Sequence, residues 1–127
     1  MRRRATLLAI ALVALLATAP AAARAPTRIG VTGLDTPDMA LLLSASAHPK
    51  AEPGPAEVQF HNAGEDAHDL VIRRRGARAK HRYPELAPGA THELELRLRR
   101  ASRYDLWCTL PTHRDQGMAA VLRVRGS

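Results

Sequence analysis

The stretch THELELRLR, residues 91–99, places Leu94, Leu96 and Leu98 at alternate positions, with Glu93, Glu95, Arg97 and Arg99 between them. Only an extended strand sends successive side chains to opposite faces, so the pattern predicts a strand with one buried and one wet side. The same period recurs along the chain. RYDLWC (103–108) groups Tyr104, Leu106 and Cys108, and EVQFHN (57–62) groups Val58 and Phe60. HDLVIRR (68–74) sets His68, Leu70 and Ile72 against Asp69, Val71 and Arg73, and GMAAVLRVR (117–125) closes the series. Turn-forming residues separate these segments in HPKAEPGPA (48–56), AGEDA (63–67) and ELAPGA (85–90). The short apolar segment MALLLSA (39–45) precedes them, and no internal repeat or sustained helical stripe follows the N-terminal region. Short strands and Pro/Gly turns over about 90 residues predict an all-β, mostly antiparallel sandwich.

The 127 residues suffice for one domain. Residues 1–23 have a different character: Arg2, Arg3 and Arg4, an apolar run from Ala5 to Ala17, then a small-residue region ending in Ala21 and Ala23. Basic start, apolar middle and A-x-A-like exit are the layout of a cleaved secretory signal. The apolar part is shorter than the ~20 residues a membrane span needs, so no stable insertion is expected after cleavage. Residues 24–38, with Pro26, Gly30, Gly33 and Pro37, are expected to be a leader or a loose first strand before a domain at 39–125. The protein is expected in the periplasm or otherwise outside the cytoplasm.

Export changes the meaning of the single cysteine, Cys108. A secreted domain held by disulfides carries paired cysteines, whereas one odd thiol points to intermolecular pairing, a free thiol or a metal-protected thiolate. Charge is a weaker guide. Without Arg2–Arg4 the basic count falls from 19 to 16 against 12 acids, a net charge of +4. The basic residues gather in RRRGARAKHR (73–82) and RLRRASR (97–103). One Phe, one Trp and two Tyr offer too few stacking surfaces for a nucleic-acid platform, so these clusters read as a solvated basic face.

The stretch CTLPTHRDQGM (108–118) places His113 five residues after Cys108 and Met118 five after that. Alternation turns Cys108 inward with Leu106 and Tyr104, and turns His68 the same way as Leu70 and Ile72. Two imidazoles, a thiolate and a thioether form the ligand set of a blue-copper site. Zinc would favour a closed set without the thioether. The other histidines, His48, His61, His81 and His92, fall in turns or on polar faces, with no second cluster of soft ligands.

YDLWCTLPTHRDQGM, together with NAGEDAHDLVI and LAPGATHELEL, resembles the small bacterial cupredoxins of the plastocyanin, azurin, rusticyanin and sulfocyanin kind. The resemblance implies a Greek-key β-sandwich holding one type 1 copper ion, with His68, Cys108 and His113 as strong ligands and Met118 as the weak axial one. It also implies a one-electron carrier, not an enzyme, serving a redox protein partner such as a cytochrome or a copper enzyme, as a monomer. The alternative is a periplasmic protein that stores copper or delivers it from the same site. Two positions depart from the family pattern: Thr112 stands where members often have Gly, and Asp69 where many have Asn. The Asp69 carboxylate is expected either to tie the first histidine's strand to the ligand loop, lowering the potential, or to face solvent. The apolar docking edge is expected from Leu110, Pro111 and Met118 around His113. Trp107, facing away from the site, resembles a side exit for electrons.

Overall fold

The computed structural model describes residues 22–127; the signal-peptide segment lies almost wholly outside them. Among the described residues eight strands form two four-stranded sheets. The first sheet orders β2 (Ala40–Leu43), β1 (Thr27–Leu34), β3 (Gly54–Asn62) and β6 (Thr91–Leu98). The second orders β5 (His81–Arg82), β4 (Val71–Arg74), β7 (Arg103–Trp107) and β8 (Ala119–Arg123). Every pair is antiparallel except β1 with β3, so the sandwich is mostly antiparallel as expected. The chain crosses from the first sheet to the second after β3, returns for β6 and crosses again for β7 and β8. Among the described residues the one helical element is the 3-10 turn Ala45–Ala47. No helix among the described residues is long and apolar enough to cross a membrane.

The alternating residues meet between the sheets. Val58 and Phe60 from β3, Leu96 and Leu98 from β6, Tyr104 and Leu106 from β7 and Leu122 from β8 join one buried core. Phe60 stands edge-on to Tyr83, whose hydroxyl donates to the Val58 carbonyl at 2.8 Å. Two local expectations change. Residues 24–38 contain β1, which is interior to its sheet, bonded to β2 on one side and β3 on the other. Its buried residues Ile29 and Val31 belong to the core. Val71, assigned by alternation to the face of Asp69 and Arg73, is buried, because β4 is an inner strand and Val71 lies between Arg82 and Trp107.

Register fixes the two ends of the sandwich. β6 pairs Thr91 with His61 at one end and Leu98 with Gly54 at the other, while β7 runs from Arg103 toward Cys108. The ligand loop and the turn after β3 therefore share one end. The basic clusters reach the opposite end, where Arg24, Arg74, His81, Arg97, Arg99 and Arg100 line an open groove.

Candidate metal centre

Cys108 directly follows β7 and is fully buried. Its amide donates to the Met118 carbonyl at 3.2 Å, and the Met118 amide donates to the His113 carbonyl at 2.9 Å. These two bonds close the segment 108–118 into a compact loop that brings all three residues together. Within it, Gln116 N–H donates to Thr112 O at 3.0 Å, and the Gln116 side-chain amide donates to the Thr112 hydroxyl at 2.9 Å. Thr112 adopts φ +68°. That left-handed conformation costs a β-branched residue ~1–2 kcal/mol and suits glycine.

His68 comes from outside the loop. It sits before β4, in an isolated bridge with Leu86: His68 N–H donates to Leu86 O at 3.1 Å and Leu86 N–H to His68 O at 2.7 Å. That bridge orients the fully buried ring toward the loop. His68 Nδ1 lies 3.2 Å from His113 Nδ1, and Cys108 Sγ lies 3.6 Å from the same His113 atom. One ligand atom from each of His68, Cys108 and His113 lies within 4.8 Å of the other two. Among the described residues this is the one such cluster of His, Cys, Asp and Glu, and it contains no carboxylate. Met118 is fully buried in the adjoining core, and His113 is half-buried.

The apolar edge therefore differs from expectation. With Met118 at 0% exposure, the apolar surface beside His113 comes from half-buried Leu110 and exposed Pro111.

Burial pushes the Cys108 thiol above its ordinary range. The amide N–H groups of Leu110 and Asp69, directed at the sulfur, oppose that shift, while the Asp69 carboxylate adds to it. A thiol so placed keeps its proton until a metal cation replaces it, and a coordinating thiol is then deprotonated outright. Two imidazole nitrogens, one such sulfur and a buried thioether suit copper better than zinc or a hard cation.

Asp69 ties strand to loop. Its carboxylate accepts the Thr109 amide at 2.5 Å and also the Thr109 hydroxyl. Trp107 alternates with Cys108 along the strand, and the guanidinium groups of Arg73 and Arg114 lie over its ring at 5.2 and 4.7 Å from the centroid. His48 and His81 are exposed, as expected. His61 is half-buried with Nδ1 2.9 Å from the Thr91 hydroxyl, and His92 is half-buried, edge-on to Tyr83.

Sequence reasoning missed three residues that shape the centre. Asp35, in the turn between β1 and β2, places Oδ2 3.0 Å from His68 Nε2. Gly64 leaves the space for that contact: a Cβ there would lie 2.4 Å from Asp35 Oδ2 and 2.8 Å from His68 Nε2. Buried Asn62 braces the turn by donating to the Asp66 and Leu86 carbonyls at 2.8 and 2.9 Å and accepting the Gly64 amide at 2.9 Å. The one local signal was a glycine directly before two acids in AGEDA (63–67); nothing in the pattern pointed to Asp35.

No protein-family profile and no curated protein sequence matches the chain. Solved structures do. Dithionite-reduced auracyanin from the photosynthetic bacterium Roseiflexus castenholzii superposes with a TM-score of 0.58 at 18% identity, covering 80% of this chain and 98% of that one. Auracyanin B gives 0.55 at 16% identity, over 80% of this chain and 91% of that one. A multi-copper oxidase from Pediococcus acidilactici gives 0.54 at 14% identity, where 98% of this chain matches only 31% of the larger protein. At these identities the likeness establishes the fold.

Proposed function

We propose that this chain, whose fold is that of the cupredoxins, is an exported type 1 copper protein that carries single electrons between redox partners. The observation that carries this is the convergence of one ligand atom each from His68, His113 and Cys108 within 4.8 Å, with buried Met118 bonded through its backbone to Cys108 and His113. Bound copper would supply a reversible one-electron couple between Cu(II) and Cu(I). The sulfur donors of Cys108 and Met118 suit the reduced ion and the imidazoles of His68 and His113 suit both. His68 is held by its bridge to Leu86, and the loop by the backbone bonds among Cys108, His113 and Met118. Ligands so fixed move little when the charge changes, which favours fast transfer.

His113, half-buried beside Leu110 and Pro111, offers the route to a partner. A small contact there suits brief encounters with a cytochrome or a copper enzyme, since redox pairs bury little surface. Burial of Cys108, His68 and Met118 favours retention of the ion over its delivery to another protein, which supports the carrier reading over copper delivery. The chain itself would make and break no covalent bonds, would act as a monomer and would work in the periplasm.

The mature protein with added Cu(II) is expected to turn intensely blue or green, and Cys108→Ser to stay colourless. A colourless wild type, or strong preference for Zn(II), would overturn the proposal. Copper transfer to an acceptor apoprotein, without rapid reversible reduction, would replace the carrier role by delivery.

A further inference from the structure

We propose that Asp35 is a positioning residue for the metal centre, fixing the tautomer of His68 and setting a permanent negative charge behind it so that the oxidised metal is favoured over the reduced. This rests on the copper function proposed above and goes beyond the four ligands.

The Asp35 side chain is 4% exposed and its contacts are specific. Glu65 N–H donates to both carboxylate oxygens at 2.9 Å, Asp66 N–H to Oδ2 at 2.7 Å and the Thr36 hydroxyl to Oδ1 at 3.1 Å. His68 Nε2 reaches Oδ2 at 3.0 Å. A carboxylate surrounded by N–H and O–H donors is itself only an acceptor. The proton between Asp35 and His68 is therefore on the imidazole, and His68 is an Nε2–H donor. That leaves Nδ1 with its lone pair, and Nδ1 is the atom facing His113 Nδ1 at 3.2 Å. The opposite tautomer would put a proton where the ligand lone pair must be.

Three segments distant in sequence build this contact: the turn after β1, the turn after β3 and the lead into β4. The parallel register that pairs Gly33 with Asn62 brings the first two together. Gly64 makes the approach possible, since any side chain there would collide with both partners. A neutral carbonyl would fix the same tautomer. A carboxylate adds charge one imidazole away from the metal, and charge stabilises a 2+ ion more than a 1+ ion. Partners of this kind orient ligating histidines and raise their basicity.

Asp35→Asn keeps size and an acceptor while removing the charge. In the mature copper protein, Cu(II) affinity should fall roughly 10- to 100-fold, Cu(I) affinity should fall less, and the reduction potential should rise. Nitrogen-15 NMR of the metal-free wild type should show His68 as the Nε2–H tautomer, with Asp35→Leu shifting it toward a mixture. Equal losses of Cu(I) and Cu(II) affinity with an unchanged potential would reduce Asp35 to a structural brace and overturn the proposal. An Nδ1–H tautomer in the metal-free wild type would overturn it as well, whether or not Asp35→Asn folds. If the wild type forms no coloured copper centre, the copper function fails, while the tautomer measurement still decides the positioning role.

Discussion

His68 and His113 present the same imidazole to the same point from opposite kinds of structure. His68 is fully buried, bridged to Leu86 through its backbone and held at Nε2 by Asp35. His113 is half-buried on a loop closed by the backbone bonds of Cys108 and Met118. One candidate ligand belongs to the scaffold and the other to the surface. A carrier needs both: a rigid side that keeps the geometry constant between oxidation states, and an accessible side through which a partner reaches the metal.

The sharpest way to break this contrast is to remove each ring in turn. His113→Gly should lose the intense copper absorption and regain it with added imidazole, because its place opens toward solvent. His68→Gly should lose the absorption and stay dark, because no small ligand reaches a fully buried cavity behind Asp35. Equal rescue of both variants, followed by visible absorption, would erase the distinction between scaffold and surface ligand.

A smaller effect should appear at Thr112, on the loop side alone. Relief of its φ of +68° should make Thr112→Gly more stable by about 1 kcal/mol, allowing for the lost contact with Gln116. Chemical denaturation of the metal-free protein measures this. A destabilised variant would show that the bond to Gln116 outweighs the strain.

The mildest difference is confined to acid and belongs to the scaffold side. The amides of Glu65 and Asp66 foremost hold the Asp35 carboxyl at about 2, below its ordinary 3.8. A carboxyl depressed in the folded state adds stability that is fully present above 3.8 and disappears as pH falls through about 2. Thermal unfolding of the metal-free protein should show that loss across this window, and Asp35→Asn should lack this component of it. Parallel curves for the two proteins would remove Asp35 as its source.

Much of this molecule was legible because the signal is local. Alternation in THELELRLR and RYDLWC depends only on strand geometry, and it placed Leu96, Leu98, Tyr104, Leu106 and Cys108 in the core, where they lie. The same rule oriented His68 inward, although His68 precedes β4 and owes its position to the Leu86 bridge. Alternation failed at Val71, since burial on the second face of a strand depends on neighbours that period two does not describe. Asp69 could be read two ways, and the contact with Thr109, forty residues on, decides for the tie to the loop.

The sequence by itself determined the strand class and singled out Cys108, His113 and Met118 as candidate ligands, because these readings follow from chemistry and spacing within a few residues. Tertiary structure alone decided that β1 is an interior strand, that Met118 lies beneath the surface and that Asp35 stands behind His68. The physical reason is register. Asp35 meets His68 across 33 residues only because β1 runs parallel to β3 and Gly64 leaves room, and that pairing is selected by the packing of the whole core rather than by any short stretch of chain.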